Sequence, residues 1–197
     1  MAYKIAVIPG DGIGPEVIQE ALEVLKQVGK VFHHEFDFKT VSVGGCAYDQ
    51  FGTPLPEESL EVCKSSDGVL LGAVGGNQWD HLPGHLRPEA ALLGLRGALG
   101  LYANLRPVVL YPVLGSASPL KDSIIEGGVD LCVVRELTGG IYFGTRGSYH
   151  TPTNGEEAFD TEAYNEMEIT RIARKAFEMA PGTGLASRTK SEIRARF

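Results

Sequence analysis

An α/β fold built on a parallel sheet is what this sequence predicts, from the order of its strand-like and helix-like runs. Apolar strand-like runs (KIAVI, FDFKTVSV, GVLLGAV) alternate over the first hundred residues with runs of helical periodicity (EVIQEALEVLKQV, PEESLEVCKSS). Strands separated by helices need crossover connections, and crossovers give parallel pairing. Beyond about residue 100 the pattern changes to closely spaced strand-like runs followed by one strong helix, so the chain reads as a first α/β domain over 1–100, part of a second over 101–180, and an atypical tail at 181–197.

Each element has a local reason. The first strand runs into GDGIGP and then a helix. Gly10 and Gly12 fit the first two glycines of the G-x-G-x-x-G dinucleotide fingerprint, and Glu35 or Asp37 fits its distal acid, but Pro15 stands where the third glycine belongs. Proline suits the first turn of a helix, where a missing N–H costs little, yet it removes a donor that a pyrophosphate would use. A Rossmann phosphate cradle is therefore not expected. In the next helix Pro56 suits the first turn, Glu57 and Glu58 favour the positive end of the dipole, and Leu60, Val62 and Cys63 supply an apolar face.

The loop GGNQWDHLPGHLRPE is too long for a simple connection and is a candidate functional loop. A short helix, EAALLGLRGAL, follows. YANLRPVVLYPVL, VDLCVVREL and GGIYFGT read as strands, the first broken by prolines that suit an edge or bend. RGSYHTPTNGEEAFDT is loop or hairpin, and EAYNEMEITRIARKAFEMA is an amphipathic helix with Ile169, Ile172, Ala173, Ala176 and Phe177 at helical spacing. The tail PGTGLASRTKSEIRARF turns basic and glycine-rich and offers no apolar run for another core strand.

Composition narrows the function classes. Of 197 residues 43% are hydrophobic and 22% charged, as in soluble globular proteins. A formal charge of −7 argues against nucleic acid as a partner, because neutralising phosphates needs a clustered basic excess. The opening IAVIP is too short for a signal-peptide core and no run reaches membrane-spanning length, so a cytoplasmic protein with no membrane partner is expected. Cys46, Cys63 and Cys132 are odd in number, widely spaced and set in apolar contexts, which points to buried free thiols.

IPGDGIGPEV, LLGAVGGNQWD, LRPEAALLGLR, ANLRPV and above all VVRELTGGIYFG resemble the metal-dependent, decarboxylating 3-isopropylmalate dehydrogenases, in order and with family-like spacing from about Tyr3 to Ala180. The resemblance implies a non-Rossmann, isopropylmalate-dehydrogenase-like fold whose N-terminal sheet is left incomplete, because the family finishes that sheet with C-terminal strands. It implies NAD-dependent oxidation and decarboxylation of 3-isopropylmalate in leucine biosynthesis, with Mg²⁺ or Mn²⁺ and a homodimeric enzyme. Arg96, Arg106 and Arg135 match the family's substrate-binding arginines, and the guanidinium fork is the group best suited to a dicarboxylate. Tyr142 matches the family tyrosine that protonates the enol left by decarboxylation. Leu92, with Leu93, precedes Arg96 at helical spacing and sets apolar surface beside it, as an isopropyl group requires. The segment from Gly76 through Asn77, Gln78, Trp79 and Asp80 to Glu89 matches part of the family's NAD site, with Ile13 near it. Trp79 and His81 are either cofactor-proximal or loop anchors. Arg146, Arg171 and Arg174 have no such match and read as surface charges.

The family also supplies a lysine base in a D-K-A-N context, three metal-binding aspartates and a second glycine-rich stretch, none recognisable here. Lys190 has the wrong flanks for the lysine, and Asp122, Asp130 and Asp160 read as loop and strand-start residues. The alternative expectation is accordingly a truncated, catalytically inactive remnant, limited to association or weak ligand binding.

Overall fold

The computed structural model describes residues 2–180; Lys190 and the rest of the 181–197 tail lie outside the described residues. The chain separates into two compact units, Met1–Gly100 and Leu101 onward.

The first unit runs β1 (Ala2–Gly10), α1 (Gly14–Phe32), β2 (Glu35–Thr40), α2 (Gly45–Phe51), α3 (Glu57–Lys64), β3 (Gly68–Ala73), 3₁₀ turns at Asn77–Trp79 and Gly84–Leu86, and α4 (Pro88–Ala98). Its three strands are parallel in the order β2-β1-β3. The central strand is the most deeply buried: Ala6, Val7 and Ile8 are fully buried, as expected for a strand paired on both sides and covered by helices. Ala6 and Ile8 join Val43, Val62, Cys63, Ala91 and Leu95 in one core. Among the described residues β2 and β3 each have a free outer edge, so the sheet is the partial one expected.

Pro15 sits in the first turn of α1, the position where its missing N–H is harmless. The short helix α2 was not foreseen. Its seven residues lie between Gly44 and Gly52, both with positive φ, and carry too little apolar periodicity to show in the sequence.

The second unit runs β4 (Ala103–Leu110), a 3₁₀ segment Pro112–Ala117, α5 (Asp122–Ile125), β5 (Val129–Glu136), a 3₁₀ turn Gly140–Tyr142, β6 (Arg146–Thr151), β7 (Gly155–Asp160) and α6 (Glu166–Met179). β4 and β5 form an antiparallel ribbon that places Asn104 opposite Arg135 and Ala103 opposite Glu136. Pro107 is tolerated because β4 has a single strand partner. β6 and β7 form a hairpin. α6 opens with a capping box: Glu168 N–H donates to Asn165 Oδ1 and Asn165 N–H to Glu168 Oε2. That cap explains why the helix starts at Glu166 and not at Glu162.

Two expectations need correction. GGIYFGT is not a strand: Gly140 takes φ +75°, which turns the backbone out of extended conformation, and Gly140–Tyr142 form the 3₁₀ turn instead. All three cysteines are free, but only Cys63 is buried, while Cys46 and Cys132 are half-buried. Among the described residues no helix is long and apolar enough to cross a membrane.

Candidate functional site

In open α/β sheets ligands bind beyond the carboxyl ends of the strands. In the first unit β1 and β3 are neighbours, and the loops leaving their carboxyl ends carry GDGIGP and GGNQWD. Asp11 joins them. Its side chain is 4% exposed, and its carboxylate accepts three backbone hydrogen bonds: Gly45 N–H and Gly75 N–H to Oδ2, both 2.9 Å, and Cys46 N–H to Oδ1 at 2.8 Å. Asp11 N–H donates to the Ala73 carbonyl, and the Asp11 carbonyl accepts from Gly14 N–H. Gly10, at φ +75°, is required here, because a Cβ would run into the Ala73 carbonyl.

Ile13 ends this loop as the N-cap of α1 with its side chain 58% exposed. In the second loop Gly76, Asn77, Gln78 and Asp80 are exposed, as is His81. Trp79 is different: it is 6% exposed, its indole N–H donates to Asp49 Oδ1 at 3.0 Å, and its ring lies flush against Gly45. Of the two roles open to it, the structure gives it that of a loop anchor; no face of the indole is left for a cofactor. Arg87 fixes the far end of the loop by donating to the carbonyls of Leu82 and Asp80. Glu89, exposed in the first turn of α4, sets Oε1 beside Gly75, 2.7 Å from where a Cβ there would lie.

On α4 the core face is Ala91 and Leu95, so Leu92, Leu93 and Arg96 are all left half-buried. Leu92 and Arg96, four residues apart, share one face of the helix. Burial pushes the Cys46 thiol above the usual range, and the Asp11 carboxylate beside it pushes the same way, which disfavours the reactive thiolate.

In the second unit, successive residues of a strand point to opposite faces. Asn104 and Arg106 on β4 therefore share a face with Arg135 on β5, while Glu136 points to the other. Arg106 is exposed, and its Nε–H donates to Asn104 Oδ1 at 3.0 Å. The Arg135 guanidinium stands over the Tyr142 ring, 5.6 Å from its centroid. Tyr142 is 51% exposed on its turn, which removes the core-packing role that a strand tyrosine would have had.

The opposite face explains how that turn is held. Glu136 accepts from Arg171 Nη2 at 2.8 Å and Nε at 3.2 Å, and from the Thr138 N–H and hydroxyl. Burial raises the carboxyl pKa of Glu136, but the hydrogen bonds from Arg171 and Thr138 and the Arg171 charge outweigh it and hold the group below its ordinary value. The same pairing raises Arg171. Arg171 also meets the Thr138 hydroxyl and lies 4.7 Å from the Tyr102 ring centroid. Arg146 donates to the carbonyls of Ile141 and Tyr142. The reading of Arg146 and Arg171 as plain surface charges is therefore corrected: both brace the segment that carries Tyr142.

Sequence reasoning missed Asp11, Asn104 and Arg171. Asp11 lay inside a motif read only for its glycines. Asn104 stands two residues from Arg106, on the same strand face, a spacing that was there to be used. Nothing local marks Arg171, because its partner is 35 residues away.

Asp122 opens α5, Asp130 lies within β5, and Asp160 ends β7, 3.8 Å from Arg146 Nε. Among the described residues no three His, Cys, Asp or Glu side chains gather into a group that could hold a metal ion.

Comparison with known proteins adds a family to this geometry. The chain is 64% identical to the 3-isopropylmalate dehydrogenase of Clostridium acetobutylicum over 179 residues, 90% of this chain and 50% of that protein. It is 58% identical to that of Halalkalibacterium halodurans, over 91% of this chain and 49% of the relative. The chain thus spans about half the length of the curated relatives it matches. Among solved structures, the β-decarboxylating dehydrogenase of Thermococcus kodakarensis in its apo form is similar with a TM-score of 0.63 at 36% identity, covering 92% of this chain and 46% of that one. The isocitrate dehydrogenase of Methylococcus capsulatus gives 0.67 at 30%, covering 91% and 48%. Residues 4–195 match the family described as isocitrate/isopropylmalate dehydrogenase. With its partial parallel sheet, its glycine loops at the carboxyl edge and its arginine-bearing ribbon, the chain belongs to the isocitrate/isopropylmalate dehydrogenase family.

Proposed function

We propose that the chain is the substrate- and nicotinamide-handling N-terminal portion of a 3-isopropylmalate dehydrogenase, acting in leucine biosynthesis as a cytoplasmic homodimer. The observation that carries this reading is the ribbon face on which Arg106, steadied by Asn104, lies alongside Arg135 and its partner Tyr142. Two guanidinium forks on one strand pair suit a substrate with two carboxylates. Within the first unit, Leu92 and Leu93 lie half-buried on α4 near Arg96, apolar surface that suits an isopropyl group and not a third carboxylate.

A nicotinamide cofactor bound at the carboxyl edge would supply a hydride acceptor for the carbon bearing the 2-hydroxyl. The residues present fit it: Ile13 and the Gly76–Gln78 stretch are exposed at the carboxyl edge, and Asp80 and Glu89 flank them. The loop offers no such fit through Trp79, whose role is to hold it in place. After the 3-carboxylate leaves as CO₂, the Tyr142 hydroxyl delivers a proton to the enol carbon, and its half-exposed position beside the Arg135 charge suits that task. The Mg²⁺ or Mn²⁺ of the family finds no fitting ligand group among the described residues.

The test is calorimetric titration of the chain with 3-isopropylmalate and with isocitrate. Binding of 3-isopropylmalate, weaker binding of isocitrate, and loss of both on Arg135→Ala support the reading. Equal affinity for the two acids, or no change on Arg135→Ala, overturns it.

A further inference from the structure

Asp11 is a buried carboxylate that accepts from three backbone N–H groups, with the Cys46 thiol also beside it. They come from two separate places in the chain, the start of α2 and the loop after β3, while Asp11 itself belongs to the loop after β1. Each N–H would otherwise be an unmet donor, and a single buried acceptor serving all three makes the three segments stand or fall together. Gly44 and Gly75, both at positive φ, let the backbone close around the carboxylate; a Cβ on Gly44 would collide with Asp11 Oδ2. Trp79 then ties the loop back to α2, because its ring rests on Gly45 and its N–H is held by Asp49.

We infer that Asp11 is a positioning residue: its carboxylate locks the Gly10–Ile13 loop, the start of α2 and the Gly75–Asp80 loop into one rigid jaw that presets the spacing of the nicotinamide site. This rests on the reading of those loops as the cofactor site. Asp11 touches no ligand in this role. It acts through Gly75 and Gly45, and it couples the cofactor loop to Trp79, the sole tryptophan of the chain.

Two experiments separate the lock from the cofactor reading. In the unaltered chain, native-state hydrogen exchange across a denaturant series is followed at the Gly45, Cys46 and Gly75 amides. The lock requires all three to open in one step with the same denaturant dependence; a Gly75 amide that opens independently of Gly45 and Cys46 overturns it. The second uses Asp11→Asn, which keeps the shape but sets an NH₂ against at least one of the three donors. The affinity for NAD, read from Trp79 emission, is expected to fall at least tenfold and the Gly75 amide to exchange at least tenfold faster, while 3-isopropylmalate affinity stays within twofold. Equal losses for NAD and 3-isopropylmalate mark Asp11 as merely structural and overturn the positioning role. If the unaltered chain gives no response to NAD, the cofactor reading falls and the positioning role with it, while joint opening of the three amides still establishes the lock.

Discussion

Arg171 on α6 closes on Glu136 at the end of β5 through two nitrogens, 2.8 and 3.2 Å from the carboxylate oxygens, with its guanidinium 4.7 Å from the Tyr102 ring centroid. The Glu136 side chain is 6% exposed, so this pair is shielded from solvent far more than an ordinary surface ion pair. It fixes the strand end from which Thr138, Gly139 and the Tyr142 turn follow.

The first prediction is a pH dependence. The folded-state pKa of Glu136 lies below its ordinary value, so the stabilisation is fully present above the unfolded-state value and is lost as pH falls through the folded one. Urea-unfolding midpoints should hold steady from neutral pH down to about pH 5 and fall below it. Glu136→Gln should cost about 1–3 kcal/mol at neutral pH, since Arg171 and Thr138 lose a charged acceptor, and should remove part of the acid sensitivity. An unchanged acid slope in the variant would refute the assignment.

A second prediction concerns the indole seat. Gly45 faces the Trp79 ring so closely that a Cβ there meets the ring atoms. Gly45→Ala should destabilise the first unit by about 1–3 kcal/mol through overpacking and shift tryptophan emission to the red. Asp49→Ala, which strands only the indole N–H, should give a smaller loss of about 1 kcal/mol. Fluorescence-detected urea unfolding checks both.

The sheet was legible because β1 and β3 are apolar runs and α1 carries clear periodicity, and α6 was legible for the same reason, although its start, set by the Asn165–Glu168 capping box, was placed one turn too early; the hairpin was open between hairpin and loop. The Tyr142 segment was not. GGIYFGT has strand composition, but Gly140 takes a positive φ, with Tyr164 from 24 positions further on packed against it, and the segment forms a 3₁₀ turn. Asp11 was illegible for a related reason: its three donors come from 34 to 64 residues away, beyond any local pattern. Sequence names the residues at motif positions; it withholds which partners hold those residues still.

The third prediction follows from Asn104 holding Arg106. Arg106→Lys keeps the charge and loses the fork, and should weaken 3-isopropylmalate binding by about 1–3 kcal/mol. Asn104→Ala should weaken it less, by about 0.5–1.5 kcal/mol, the value of one neutral hydrogen bond. Calorimetric titration of both variants checks the order; a larger loss for Asn104→Ala would make the asparagine, not the arginine, the principal contact.

A fourth prediction addresses side-group selection on α4. Leu92 is half-buried and shares a helix face with Arg96, whereas Ala91 and Leu95 take the core. Leu92→Ser should leave the fold nearly intact and reduce discrimination between isopropyl and smaller side groups by about 1–3 kcal/mol. Competition between 3-isopropylmalate and 3-methylmalate measures it, and unchanged relative affinities would remove Leu92 from the site.

The last prediction tests how the Tyr142 turn is made. Gly140 has φ +75°, and a Cβ there would lie 2.5 Å from the Tyr164 hydroxyl oxygen and 2.8 Å from the ring carbon that bears it. Its N–H donates to the Ala163 carbonyl, so the residue cannot back away without losing that bond. Gly140→Ala therefore meets two penalties: about 1–2 kcal/mol for the left-handed conformation, and a steric clash on top. The Tyr142 turn should be displaced, with weaker 3-isopropylmalate binding and faster amide exchange at Phe143 and Gly144, whose N–H groups bond the Gly140 carbonyl. Tyr164→Phe removes the oxygen that makes the closest contact. If the clash matters, the double variant Gly140→Ala with Tyr164→Phe should recover part of the stability lost by Gly140→Ala alone, leaving the conformational penalty in place. Strict additivity of the two changes would mean that Tyr164 does not shape the turn and that its glycine is needed for backbone conformation alone.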